Sequence, residues 1–151
     1  MDVIYDLNVL QHMDTAELEQ LAKYLNFVEV AAGEVIFSEG DKGHFMCFII
    51  SGTLEVIKDP NASERVVIAQ IGKGRTLGEM SLFDAMPRSA TAQAKTACLL
   101  LTLSDESLDK LSEQHPKTAV KVMRSVSRLL SLNLRRTSGQ LADFLLHQDD
   151  E

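Results

Sequence analysis

The sequence predicts a mainly β fold with flanking helices. An eight-stranded jelly-roll β-barrel sits in the middle, with an N-terminal helix before it and a hinge and long helix after it. Three observations carry this reading. Short β-type runs punctuated by glycine fill the chain from Phe27 to Leu103. Turn residues recur between those runs at the intervals of a sandwich or barrel, and the seven runs come close to the eight strands of a jelly roll. Outside that stretch the apolar period changes from strand-like to helical.

In order, Asp14-Thr15-Ala16-Glu17 has the form of a capping box. Leu18, Leu21, Ala22 and Leu25 follow at i, i+3, i+4 and i+7, which makes one apolar face. Upstream, Val3, Ile4, Leu7 and Leu10 outline a second, shorter helical piece. The β-type runs are FVEV, EVIF, FMCFII, TLEVIK, RVVIAQI, SATAQA and ACLLLTL. Between them lie Ala32-Gly33, Gly40-Asp41-Lys42-Gly43, Ser51-Gly52, Asp59-Pro60-Asn61 and Gly72-Lys73-Gly74, all read as tight turns.

After Leu103 the helical period returns. Ser104 is placed to cap a helix whose first turn carries Asp105 and Glu106, favourable at the positive end of the dipole. Leu108 and Leu111 mark its buried side, and His115-Pro116 ends it, with Pro116 suited to the first turn of the next helix. Ala119, Val122, Met123, Val126, Leu129, Leu130 and Leu134 continue at helical spacing, and Leu141, Phe144 and Leu145 extend the apolar face. Gly139 is the weak point, since glycine costs about 1 kcal/mol against alanine in a helix interior. A bend or an end is expected there, and a frayed tail over Gln148-Asp149-Asp150-Glu151.

At 151 residues the chain is long enough for one real core. It is read as a single domain: helices over 1–26, the barrel over 27–103 and helices over 104–147. A hydrophobic share of 45% with 25% charged residues is an ordinary globular composition. The net charge of −7 argues against broad binding to nucleic acid or anionic membrane, which need surplus Lys and Arg. Cys47 and Cys98 lie in apolar runs and read as reduced core thiols. His12, His44, His115 and His147 are scattered, so no metal site is expected. Neither a Gly-x-Ser-x-Gly elbow nor a His/Cys nucleophile pair is present, so the chain is not read as an enzyme. MDVIYDLNVLQHMD lacks the basic flank and long apolar core of a signal peptide, and no run approaches 18 apolar residues. A cytoplasmic location is expected.

The chemistry is concentrated in GKGRTLGEMSLFDAMPRSATAQA, from Gly72 to Ala94. Glycines at 72, 74 and 78 permit positive φ or close approach to a ligand. Glu79-Met80-Ser81-Leu82-Phe83 is long enough for about one helical turn, whose first amides lack intrahelical partners and favour an anion. Arg88 stands ten residues after Gly78, behind the stiff Pro87. A guanidinium binds phosphate through two parallel hydrogen bonds, which a lysine cannot match. Glu79 can accept from sugar hydroxyls, so the set suits a ligand with one phosphate and one ribose. The bland alternative for Arg88 is a surface side chain; facing a barrel interior, it would be an unpaired charge.

Gly78-Glu79-Met80-Ser81-Leu82 and Pro87-Arg88-Ser89-Ala90-Thr91 closely resemble the phosphate-binding cassette of cyclic nucleotide-binding domains. That family includes cyclic-AMP-dependent kinase regulatory subunits, cyclic-nucleotide-gated channels and the bacterial catabolite activator protein. The Gly-to-Arg spacing is similar to that of kinase and channel members, whereas AKTACLLLTLS resembles the bacterial branch. The likeness runs from about Asp14 to about Leu145, with the cassette at 78–91.

The resemblance implies a ligand, cyclic AMP or cyclic GMP, with a bacterial context favouring cyclic AMP, and no metal. It makes Glu79 the acceptor for the ribose 2′-hydroxyl, the amides of Ser81 and Ser89 phosphate donors, Arg88 the phosphate cation and Gly78 a close ribose contact. Leu77, Met80 and Ala90 complete that part of the site, Leu77 standing where the family often has phenylalanine. Ser89 is ambiguous: similar kinase members carry Ala there for cyclic AMP and Thr for cyclic GMP. Family members close the base side with the C-terminal helix as a lid, which makes Arg135, then Arg136 and Asn133, the candidates. Against this, Lys117, Lys121, Arg124, Arg128 and Arg135 fall near helical spacing, as on one solvated basic face. Leu82 is the implied apolar relay from pocket to helices.

The implied function is a regulatory module that signals to a protein partner, or to a second copy, through its C-terminal helix. Two alternatives stand beside it: a ligand-free dimerisation module of the same fold, and a truncated transcription regulator. Few residues follow the long helix, fewer than a helix-turn-helix needs, so direct DNA binding is not expected.

Overall fold

Residues 10–59, 64–84 and 86–149 are described by the computed structural model. Among them the β-type runs become β1 (Asn26–Val30), β2 (Val35–Phe37), β3 (Phe45–Ser51), β4 (Leu54–Lys58), β5 (Val66–Ile71), β6 (Thr76–Leu77), β7 (Thr91–Ala94) and β8 (Cys98–Ser104). The helices are α1 (Thr15–Ala22), α2 (Glu79–Asp84), α3 (Asp105–Gln114) and α4 (Pro116–Asp149). Two four-stranded antiparallel sheets, ordered β1-β8-β3-β6 and β2-β7-β4-β5, make the eight-stranded jelly roll. β6 is the one strand with no counterpart among the β-type runs. It is two residues long and lies within the glycine-rich stretch, where no alternation can develop.

β3 and β8 read as unbroken apolar runs because both of their faces are covered. They pair from Phe45↔Ser104 through Ile49↔Leu100. Cys47 and Ile49 of β3, with Cys98 and Leu100 of β8, join Val30, Leu54 and Ala94 in the barrel interior. The alternate residues Met46, Phe48, Leu101 and Leu103 cluster instead with Leu18, Leu21, Leu108, Leu111, Val122 and Val126 of the helices. The two-residue strand period thus builds one core inside the barrel and a second between barrel and helices.

Capping sets the helices as expected. Asp14 and Glu17 form the reciprocal capping box, with Glu17 N donating to Asp14 Oδ1 at 2.8 Å. α1 ends at Ala22, before Leu25, which is nevertheless buried beside Leu21. Ser104 Oγ accepts from Ser107 N at 3.0 Å, and α4 opens on Pro116. Lys121 Nζ reaches Glu17 at 2.7 Å and Tyr24 donates to Gln114, which ties α1 to the C-terminal helices.

Two helix expectations need correction. α4 does not end at Gly139: it runs unbroken through that residue, and its backbone is still helical at Gln148 and Asp149. The local cost of one glycine is outweighed by cooperative propagation on both sides. The helical piece read at Val3, Ile4 and Leu7 lies outside the described residues, as do Pro60 and Asn61 of one turn and Asp150 and Glu151 of the tail. Leu10 is described, and is buried against the helices.

Candidate functional site

The cassette is positioned by the end of one short strand and the start of one short helix. β6 pairs with β3 through Cys47↔Leu77, then the chain turns at Gly78 with φ 78° into α2. A Cβ on Gly78 would collide with Nη1 of Arg88, so this glycine meets both a conformational and a steric demand. Gly43 meets a similar one: a Cβ there would strike the Ser81 side chain and come within 3.2 Å of Arg88 Nε. The return segment is clamped to the β2–β3 loop. Arg88 N donates to Asp41 O at 2.7 Å, Gly40 N to Arg88 O at 2.8 Å, and Lys42 and Pro87 form a bridge.

These clamps hold the Arg88 side chain inside, at 4% exposure. Nη1 donates to Gly78 O at 3.1 Å and Nη2 to Phe45 O at 2.6 Å, while Nε has no partner. The guanidinium carbon lies 4.0 Å from the Phe37 ring centroid and 4.9 Å from that of Phe45, within cation–π range of both. Burial lowers the affinity of Arg88 for its proton, opposed by Cys47, Asp41 and Glu79, and a guanidinium remains charged. Glu79 is buried in the same cavity, yet no salt bridge joins it to Arg88. The cation therefore sits in a largely apolar environment, held by carbonyl dipoles rather than by a carboxylate.

The space in front of it is a cavity of about 470 Å³. Leu77, Gly78, Glu79, Met80 and Ser81 line one side, and Arg88, Ser89 and Ala90 another. The opposite wall is α4, which contributes Leu130, Asn133, Leu134 and Thr137. Those four recur at i, i+3, i+4 and i+7, one stripe of the helix. Arg135 and Arg136 fall off that stripe; both are exposed and neither is brought to the cavity. Leu82 turns away from the cavity into the core shared with Val122 and Val126 of α4.

Sequence reasoning missed Phe37 and Val56, which line the cavity from β2 and β4, and the α4 residues Leu130, Leu134 and Thr137. Strand alternation marks Phe37 and Val56 as facing one side but cannot say which ligand that side meets. For α4 a signal was present: the i, i+3, i+4, i+7 stripe starting at Leu130 includes Asn133 and excludes both arginines. No group of three or more His, Cys, Asp or Glu that could hold a metal ion is found among the described residues, and no described helix is long and apolar enough to cross a membrane.

Comparison with known proteins gives consistent matches. The profile described as the cyclic nucleotide-binding domain matches residues 27–115. The chain is 24% identical over 144 residues to a CRP-like cAMP-activated global transcriptional regulator of Mycobacterium tuberculosis, covering 95% of this chain and 62% of that protein. It is 31% identical over 110 residues to the cAMP-dependent protein kinase regulatory subunit of Debaryomyces hansenii, covering 73% of this chain and 24% of the kinase subunit. The crystal structure of a cyclic nucleotide-binding domain from Methylobacillus flagellatus superposes with a TM-score of 0.82 at 28% identity, covering 93% of this chain and 79% of that one. The chain thus spans less than two thirds of the length of these two curated relatives.

Proposed function

The chain belongs to the cyclic nucleotide-binding domain family, and from that premise we propose that its cavity receives a purine 3′,5′-cyclic nucleotide, cyclic AMP in preference to cyclic GMP. The observation that carries this is Arg88, a 4%-exposed guanidinium that lines the cavity and has no carboxylate partner among the described residues. A buried charge is costly unless matched, and a cyclic phosphodiester supplies one negative charge in a form that accepts paired hydrogen bonds. The amides of Ser81 and Ser89 donate to the same phosphate, and Glu79 accepts from the ribose 2′-hydroxyl with Gly78 against the sugar. Leu77, Met80 and Ala90 pack around the ligand.

The base lies against Phe37, Val56 and α4. Asn133 is the reader of its edge, because an amide offers a donor and an acceptor side by side, the pattern adenine presents. The resemblance to the mycobacterial regulator and the yeast kinase subunit, both named for cAMP, supports the preference for adenine. Binding draws the cassette onto the phosphate, moves Leu82 in the shared core and shifts the balance between positions of α4. The module signals through that helix and has no catalytic step of its own. Residues 1–151 act as one domain, a reading supported by the core that joins Leu10, α1, the outer face of the barrel and α4.

Calorimetry with cyclic AMP and cyclic GMP on the wild type and on Arg88→Ala, Asn133→Ala and Arg135→Ala tests this. Arg88→Ala is expected to lose about 2–4 kcal/mol of binding, as for other buried charge-assisted pairs. Asn133→Ala narrows the gap between the two nucleotides, and Arg135→Ala leaves it unchanged. Undiminished binding by Arg88→Ala would remove the cation from the site.

A second reading, a dimerisation module with an idle cavity, is favoured by one feature. Leu141, Phe144 and Leu145 on α4 are each more than half exposed. It requires a dimer in solution and no heat with either nucleotide at millimolar concentration.

A further inference from the structure

We propose a second ligand site, for a small phosphate- or carboxylate-bearing molecule, in a cavity of about 280 Å³ where α4 meets the β5–β6 turn and the segment before α1. Its α4 residues, among them Ser125, Arg128 and Leu132, lie roughly 140° round the helix from the stripe that faces the nucleotide cavity, at about 100° per residue. On a chain of net charge −7, the described residues that line this cavity include Arg75, Arg128 and His12 and no acid. Neither arginine pairs with a carboxylate among the described residues. Arg128 contacts the His12 ring nitrogen instead.

An independent observation points the same way. Thr76 lines the cavity at 7% exposure, and its Oγ1 has no hydrogen-bond partner. A buried, unpartnered hydroxyl is unusual and costs free energy. An oxyanion in the cavity accepts from the hydroxyl of the buried Ser125, and from that of Thr76 once rotation about χ1 turns its covered oxygen toward the cavity. The turn that presents Arg75 is fixed to β3: Gly74 N donates to Ile49 O at 2.8 Å, and Ile49 N to Arg75 O at 2.9 Å. Arg75 thus leaves a positioned backbone. Leu129 and Leu132 complete the wall, leaving room for a small organic body behind the charged group.

An occupant bridges the N-terminal segment, the barrel and α4, and so holds that helix in the position seen here. If the nucleotide cavity is as proposed above, the two ligands share α4 and their affinities are linked reciprocally. Amide NMR spectra of the full chain titrated with inorganic phosphate, and separately with succinate, test the site. Saturable shifts are expected at Gly74, Thr76 and Ser125, with affinity about tenfold weaker in Arg75→Gln and in Arg128→Gln. The same shifts should persist in Arg88→Ala, which separates this site from the nucleotide cavity and leaves it standing if that reading fails. A response to phosphate alone identifies a phosphate ester as the ligand class, and a response to succinate alone a carboxylate. Shifts that never saturate, or that survive both arginine substitutions unchanged, overturn the proposal.

Discussion

Arg88 Nη1 occupies the space that a Cβ on Gly78 would need, and from there it donates to the carbonyl of Gly78 itself at 3.1 Å. The guanidinium and the turn that opens the cassette are therefore one packed unit. Gly78→Ala strains that unit twice, through a left-handed φ of 78° and through displacement of the guanidinium. Expected outcomes are a loss of about 1–3 kcal/mol in stability by chemical denaturation and a larger loss in nucleotide affinity by calorimetry. Unchanged affinity would mean that Arg88 can bind phosphate from elsewhere.

Arg88→Met separates binding from stability. Methionine fills a similar volume between Phe37 and Phe45 without a charge to bury. Replacing a buried ion with an apolar side chain is often neutral or stabilising, here against the loss of two bonds to carbonyls. Ligand-free stability is expected to stay within about 1 kcal/mol of wild type, while nucleotide affinity falls as far as in Arg88→Ala. Destabilisation by about 3 kcal/mol or more would make Arg88 a structural residue first.

Cys47 is fully buried in the barrel interior, and burial pushes its thiol from 9.0 up to about 12, with Arg88 pulling it down and Glu79 pushing it further up. A folded pKa above the unfolded one stabilises the fold at all pH values below 9.0, and that contribution is lost as pH rises toward 12. Iodoacetamide at mildly alkaline pH should label Cys47 only after denaturant is added, as read by mass spectrometry. In Cys47→Ala, the alkaline fall in thermal midpoint should be shallower than in wild type.

Gly139 lies in the interior of α4, where a methyl group on its Cα would meet nothing within 4 Å, and its φ is not left-handed. Gly139→Ala is therefore expected to stabilise the helix by about 1 kcal/mol, seen as a higher thermal midpoint and stronger helical circular dichroism. A fall in stability would show that the glycine serves a bend or a partner contact.

Much of the site is legible without coordinates because its chemistry is local. Gly78, Glu79, Ser81, Arg88 and Ser89 fall within a dozen residues, and all of them line the same cavity. Legibility fails where the site depends on distant chain segments. The resemblance offers Arg135, Arg136 and Asn133 alike as lid residues, and the phase of α4 against the barrel brings Asn133 to the cavity, with Leu134 and Thr137, and leaves both arginines off it. Gly43 reads as one more turn glycine, and its contact with Ser81 and Arg88 crosses about forty residues of chain.

By itself, the amino-acid order determined the strand and helix periods, the caps at Asp14 and Ser104, and the spacing that brings a glycine turn and an arginine to one loop. These follow from local sterics and hydrogen bonding, which act over a few residues. Tertiary structure alone decided that Arg88 is withdrawn between Phe37 and Phe45 with no carboxylate partner, and which stripe of α4 faces it. Burial and electrostatic pairing are properties of surfaces brought together from β2, β3, β6 and α4, and no short window of sequence contains them.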